Sequence, residues 1–366
     1  MVIFLAPIFT KEILDEHVKT SPAASFWCTL FTKSLKKQTE MCCIYAVNST
    51  MFPIGDFFVK GYTYNHPIAT KLVSYIGLPF LRYYLIDKKI KKQIDIHLHE
   101  SDVKYVITYN TTKQNIRAAK YLQSKEVKWV SIYADANTDA ELFSDADYHI
   151  YFSYSSFIRS NYKNKINFEG AIYKNFPSNY IENNNKIFLY TGTIRKENGV
   201  DLMLESFKLL EDKDARLKIT GRGNYEGFIK KVNSDSRIQY LGMVDQSELN
   251  SLYSEASFFL NPRLSCYEEN NNNFPSKLLD YLSFGKPIIS TKSAGINPSY
   301  YNYLYFLENE NIEELSDLMR VLILKTSEEK KELFLKIKEY GIQSNSWDNR
   351  VDEVWNWINN NKLNKL

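Results

Sequence analysis

Strands alternate with helices along most of this chain, and the alternation is interrupted once and then begins again. Val2–Ala6, Met41–Val47, Val103–Tyr109, Val127–Tyr133 and His149–Tyr154 are short apolar or β-branched runs. Helical stretches lie between them, from Ser21 or Thr20, either of which can cap the start, to about Lys37, and again over Lys113–Ser124. Strands separated by helices dictate a mostly parallel sheet covered on both faces. The polar stretch Phe176–Lys186, with its proline and three adjacent asparagines, breaks the pattern and reads as a linker. After it the pattern restarts. Strands are expected at Ile187–Tyr190, Arg216–Thr220, Ile238–Leu241, Ser257–Leu260 and Pro287–Thr291, with helices between. A length of 366 residues suits two such units better than one core. We therefore expect an α/β chain of two Rossmann-like, doubly wound domains separated by an interdomain cleft. The expected bounds are 1–178, 187–345, and a C-terminal helix in 346–366 that packs back on the first domain. The helical spacing of apolar residues in Trp347–Ile358 motivates that last element.

Bulk properties exclude more than they identify. A formal charge of +3 gives no case for a nucleic-acid partner. Cys28, Cys42, Cys43 and Cys266 form no CxxC pair or metal spacing, and we expect a reducing, cytoplasmic setting. No segment reaches the roughly 18 apolar residues that a membrane span requires. His97 and His99 form an HxH pair, but in a charged stretch this reads as a solvated face, and no metal site is expected. The segment Leu78–Lys92 (LPFLRYYLIDKKIKK) mixes aromatics, leucines and lysines. It fits either an ordinary helix with one wet face or a helix lying on the inner face of an anionic cell membrane. Glu268–Asn273 (EENNNN) reads as a mobile polar loop, and we find no internal repeat.

The chemistry concentrates in the second half. Phe274–Ile289 (FPSKLLDYLSFGKPII) places Pro275 at a helix start, so that the N–H groups of Ser276 and Lys277 point out of the helix end. Lys277 adds a full charge there, and Asp280 follows one turn later, able to accept two hydrogen bonds from a ribose diol. Alone, this segment could be no more than a well-capped helix. The other strand ends change that reading. Tyr190–Ile194 runs into the turn at Gly192, Gly221-Arg222-Gly223 follows the second strand, Leu241–Val244 the third, and Asn261-Pro262-Arg263 the fourth. Ligands bind at the carboxyl ends of parallel strands, and each of these loops lies there.

With these motifs the sequence resembles the retaining GT-B glycosyltransferases of family four, in particular a bacterial polysaccharide-synthesis branch with YxGT, NGV, NPR and FPSK-x-x-EYL patterns. They stand here as Tyr190–Thr193, Asn198–Val200, Asn261–Arg263 and Phe274–Leu282. Ser21-Pro22-Ala23-Ala24, Asp135 and Phe168-Glu169-Gly170 fit the same branch in the first half. The resemblance implies hexose transfer from a nucleotide-diphosphate sugar, with a UDP-sugar as the expected donor, to a glycan acceptor that is expected to be polyprenyl-linked, with retention of configuration and without a metal or other cofactor. It implies that Asp280 binds ribose and that Gly192, Thr193, Ser276 and the loops at Gly221 and Val244 pass the diphosphate and base. Phe274 and Pro275 belong to the same expected donor site. It further places Asn272, Asn273 and Asp135 at the reacting centre and Ser21 and Glu169 on the acceptor side. For Asp135 and Glu169 the residues alone fit a simple cap equally well.

Three departures matter. The family's two acids, eight residues apart, are here Asn272 and Asp280. Its arginine after the glycine turn and its lysine before the helix glycine are here Thr193 and Asn198. Arg263 with Lys277 is the expected substitute for those two cations, with Arg195 next. These departures also suit an alternative, a non-catalytic GT-B subunit that stabilises another transferase. A nucleotide-sugar epimerase is disfavoured, because no N-terminal GxGxxG is present.

Overall fold

The computed structural model describes residues 1–16, 21–110, 112–135, 145–172 and 176–360. Thr20, the second candidate cap, lies outside them. The chain forms two compact units. The first holds residues 1–152 and 159–170 and the C-terminal helix Trp347–Asn360; the second holds 153–158 and 171–346. The polar stretch Phe176–Lys186 has no regular structure and belongs to the second unit, so composition alone misplaces the crossing point.

In the first unit, β1 (Val2–Leu5), β2 (Met41–Tyr45), β3 (Phe58–Val59), β4 (Tyr62–Asn65), β5 (Ala69–Leu72) and β6 (Tyr75–Ile76) precede β7 (Tyr105–Tyr109), β8 (Lys128–Tyr133), β9 (Tyr148–Tyr151) and β10 (Lys165–Asn167). Eight of these form one sheet in the order β10-β9-β8-β7-β1-β2-β5-β4, and β3 pairs with β6 in a separate ribbon. All pairings in the large sheet are parallel except β4 with β5. Every residue of β1, β7 and β9 is buried, as strands covered by helices on both faces must be. The strand order reverses between β1 and β7. There the buried Asn115 amide donates to the carbonyls of Leu5, Tyr109 and Asn110, joining the two strand ends.

Ser21 caps the helix Pro22–Leu35 by accepting from the Ala24 N–H at 3.3 Å. The helix Trp347–Asn360 packs against it. The Ser34 hydroxyl donates to Asp348 at 2.8 Å, Lys37 pairs with Asp348 at 2.7 Å, and the Trp27 and Trp347 rings meet edge-on at 5.6 Å. Cys28, Cys42 and Cys43 are buried free thiols.

The second unit is one six-stranded, wholly parallel sheet. Its strands are β11 (Ile187–Thr191), β12 (Arg216–Thr220), β13 (Ile238–Tyr240), β14 (Phe258–Asn261), β15 (Ile288–Thr291) and β16 (Tyr305–Leu307), in the order β13-β12-β11-β14-β15-β16. Phe188, Phe207, Phe258, Met203 and Leu315 are among the residues that fill its core. The order reverses between β11 and β14, so this sheet too has a crevice at its carboxyl edge, bounded by Gly192 and Arg263.

Candidate functional site

Three loops are stacked at that edge. The Gly192 N–H donates to the Thr220 carbonyl at 2.9 Å and the Gly221 N–H to the Gly242 carbonyl at 2.8 Å. The approach is close enough that a Cβ on Gly221, whose φ is +141°, would fall 1.9 Å from the Gly192 oxygen. Only glycine fits there. The Thr193 carbonyl, just past the turn, accepts from the Tyr190 hydroxyl at 3.0 Å and from the Asn198 amide at 2.8 Å. Asn198, which stands where the resembling family has a cation, thus fixes the glycine turn with a neutral amide.

Two cations face this turn. The Lys277 ammonium lies 3.9 Å from the centroid of the Tyr190 ring, and a Cβ built on Gly192 would sit 3.1 Å from it. Arg263 follows β14 and donates from Nε to the Asn270 amide oxygen at 2.9 Å. Among the described residues neither makes an ion pair. Both are half-buried. Burial, and then the charge of Arg263, pulls Lys277 well below the usual lysine range, and burial also lowers Arg263. Two adjacent, partly desolvated positive charges without an ion-pair partner are unfavourable, the charge of Glu269 offsetting this only in part at Arg263, and an anionic ligand relieves them.

Asp280 completes the group. Its carboxylate is half-buried, has no hydrogen-bond partner among the described residues, and is pushed by burial up to about 6. The short helix that carries Lys277 and Asp280, Lys277–Leu282, is anchored by Tyr281. The Tyr281 hydroxyl accepts from the Thr191 N–H at 2.9 Å, and its ring stacks on Phe259 at 4.5 Å. Sequence reasoning assigned Tyr281 no role, although its place within the FPSK segment marked it. The helix begins later than expected. Pro275 is not its first residue; the Pro275 carbonyl accepts from Leu278, and Ser276 is the cap residue. The Ser276 and Lys277 N–H groups donate to no backbone carbonyl among the described residues. The Phe274 ring is turned away from solvent and packs on Tyr300 at 5.8 Å.

The asparagine run is a correction to the sequence reading. Glu268–Asn272 is a helix, not a loose loop. Asn270 is buried, and its amide donates to the Glu197 and Leu264 carbonyls at 2.7 and 2.9 Å while its oxygen receives Arg263. Asn271 accepts from the Ala294 N–H at 3.1 Å. Amides that bond to groups elsewhere in the unit, as at Asn270 and Asn271, rather than low complexity, account for this part of the run. Asn272 donates to Glu268 at 3.1 Å, which brings a carboxylate one helical turn away to the position that lacks one. Asn273 follows in extended conformation. Arg195 is exposed and Val244 half-buried, each on a loop at the carboxyl edge.

In the first unit, Asp135 is exposed just past β8, and the Asn110 amide donates to it at 2.8 Å. Asn110 in turn accepts from the Ala134 N–H. It has a φ of +56°, which asparagine tolerates in tight loops. Glu169 is buried, and its carbonyl accepts from the Trp27 indole. No group of three or more His, Cys, Asp or Glu side chains among the described residues is placed to hold a metal ion.

Residues 172–345, just under half of the chain, match the family model of the glycosyl transferases group 1. No curated protein sequence matches the chain. Solved structures match over nearly its whole length. A glycosyltransferase from Rickettsia africae ESF-5 superposes with a TM-score of 0.63 at 13% identity, covering 97% of this chain and 96% of that one. Anabaena Alr3699/HepE in complex with UDP and glucose gives 0.65 at 11%, covering 98% and 99%. The catalytic domain of Starch Synthase IV from Arabidopsis thaliana, bound to ADP and acarbose, gives 0.66 at 9%, covering 97% and 98%. The chain therefore has the fold of the GT-B glycosyltransferases, and its residues 172–345 carry the sequence pattern of the glycosyl transferases group 1.

Proposed function

We propose that the protein is a retaining glycosyltransferase that takes a hexose from a nucleotide-diphosphate sugar and transfers it to a lipid-linked glycan in bacterial surface polysaccharide synthesis. The observation that carries the reading is the pair of half-buried cations, Lys277 and Arg263, beside the Gly192 turn, neither of which makes an ion pair among the described residues. A diphosphate supplies that charge. As the glycosidic bond breaks, negative charge grows on the leaving phosphate, and preorganised cations stabilise it without rearrangement. With the charge supplied in this way, the transfer is proposed to need no metal ion.

Asp280 is assigned to the ribose hydroxyls. Ser276, Thr193, Gly221 and the loop at Val244 are assigned to the remainder of the nucleotide, and Arg195 is the reserve cation. Asn272 and Asn273 are assigned to the sugar hydroxyls, with Glu268 as the nearby carboxylate. Asn272 is a poor nucleophile, so a front-face transfer, in which a phosphate oxygen receives the acceptor proton, fits better than a covalent intermediate. Asp135, held by Asn110, is assigned to orient the acceptor. Ser21 caps its helix, and any acceptor contact by Ser21 or Glu169 follows from the resemblance alone. UDP is the expected nucleotide by the resemblance; proteins of the same fold include one bound to UDP and one bound to ADP.

A thermal-shift screen against UDP, GDP, ADP and their sugars tests the reading. Ligand that binds only the folded chain raises the melting temperature. Transfer of labelled sugar then separates an enzyme from a non-catalytic subunit.

A further inference from the structure

We propose that the turn segment 51–58 and the N-terminal end of the helix Leu81–Glu100 form one face that docks on an anionic bilayer, the aromatic tips entering the headgroup boundary and the lysines pairing with lipid phosphates. This deepens the reading of a lipid-linked acceptor and rests on it.

Large apolar side chains are normally exposed singly, whereas here they gather. Phe52, Ile54, Phe57 and Phe58 are exposed on one segment, and Phe80, Leu81 and Tyr84 on the other; Phe80 is 95% and Ile54 88% exposed. The two segments are joined into one surface. The Phe52 N–H donates to the Gly77 carbonyl at 3.0 Å, the Gly77 N–H donates to the Phe57 carbonyl at 2.8 Å, and Phe58 pairs with Ile76 across the β3–β6 ribbon. A Cβ on Gly77 would fall 2.2 Å from the Asp56 oxygen, so the junction is tight.

Charge identifies the occupant. On the helix, Leu81, Tyr84, Lys88 and Lys91 follow one another at three- and four-residue steps and so share a stripe, with Lys92 beside it. Among the described residues Lys88 and Lys92 pair with no carboxylate, whereas the Lys91 ammonium lies over the Tyr121 ring at 4.3 Å and Asp87 is already paired with Arg117 at 2.7 Å. The lysines begin roughly one turn, about 6 Å, beyond Tyr84. An aromatic tip with basic side chains one turn behind matches the depth profile of a bilayer surface, where aromatic rings sit at the boundary and lysines reach the phosphates. A soluble partner has no comparable reason to present that order.

Topology places the face usefully. The chain leaves the carboxyl end of β2 to enter the turn segment 51–58. It returns along β5, which runs parallel to β2, and begins the helix from that same edge. This is the edge of the sheet that carries Asp135 and Asn110.

The test uses the full chain and vesicles of phosphatidylcholine with and without phosphatidylglycerol. The protein should sediment with the anionic vesicles only, and less as salt rises. The double variant Ile54→Asp, Phe58→Asp should bind at least tenfold more weakly, with UDP affinity and transfer to a soluble acceptor unchanged. Lys88→Ser with Lys92→Ser should lose the preference for anionic lipid. Three results would each overturn the proposal: no binding of the wild-type chain to anionic vesicles, full binding by the aspartate double variant, or self-association abolished by that variant without any vesicle binding. UDP affinity is read on the same samples, so failure of the docking face is distinguishable from failure of the donor site.

Discussion

The Lys277 ammonium lies 3.9 Å from the centroid of the Tyr190 ring, and the Tyr190 hydroxyl donates to the Thr193 carbonyl at 3.0 Å. The cation is therefore held against the glycine turn by the face of an aromatic ring, not by a carboxylate. An anion entering between Lys277 and the turn displaces no existing ion pair. Lys277→Met should weaken nucleoside diphosphate binding by roughly 1.5–3 kcal/mol, the range for a charged hydrogen bond, and monophosphate binding less. Isothermal titration with UDP and UMP checks this. Equal losses for both ligands move the role to Arg195.

Asp280 should trade stability for binding. Its carboxyl is raised from 3.8 to about 6, so the folded chain holds a proton that the unfolded chain has released between those two values. Stability then falls as pH rises through that window, and above it the charged carboxylate costs up to roughly 3 kcal/mol. Asp280→Asn should raise the melting temperature at pH 7.5 and weaken UDP-sugar binding. UDP-sugar affinity of the wild type should fall as pH drops below about 6, and the variant should show a flat profile. A variant that is less stable at neutral pH, or a wild-type affinity independent of pH, contradicts the assignment.

Asn270 is a positioning residue. It joins Glu197 and Leu264 and receives Arg263, without itself being charged. Asn270→Ala should raise the KM for donor several-fold with a smaller change in kcat, because Arg263 loses its orientation and not its charge. If the variant instead loses melting temperature alone, with donor KM unchanged, Asn270 is a packing residue only.

Glu268 should matter more than its exposure suggests. It receives the Asn272 amide at 3.1 Å. Glu268→Gln should leave UDP binding intact and lower kcat for transfer at least tenfold, read by product formation at saturating donor. An unchanged kcat removes Glu268 from the reacting centre. In the same assay, Asp135→Asn should raise the KM for acceptor and leave donor affinity alone.

The sheets were legible because their strands are continuous buried runs. Ile187–Thr191 and Tyr105–Tyr109 are buried throughout and almost wholly apolar, and each runs into a glycine or asparagine turn. Lys277 and Asp280 stand out in the sequence as charged residues on a short, otherwise apolar helix, and the structure brings Lys277 to the Gly192 turn. The strands in the segment 51–76 are not legible in the sequence, because they are two to four residues long and partly exposed, which leaves little alternation to detect. The asparagine run misled for a different reason. Composition marks it as loose, while the amides of Asn270 and Asn271 bond to backbone groups distant in sequence. Tyr281 reads as a core aromatic, and only its bond to Thr191 shows that it anchors the helix to the end of β11.

The central claim is that Lys277, Arg263 and Asp280 form a site for a nucleotide-diphosphate sugar. The most direct measurement is thermal unfolding of the wild-type chain and of the Lys277→Met, Asp280→Asn double variant, each with UDP-glucose, UDP and UMP. At a ligand concentration about 100-fold above the dissociation constant, binding adds roughly 2.7 kcal/mol. The wild type should melt several degrees higher with UDP-glucose and UDP, and less so with UMP, and the double variant should show no shift. A wild-type melting temperature that no nucleoside diphosphate or sugar nucleotide raises, or an equal shift in the double variant, would contradict the account.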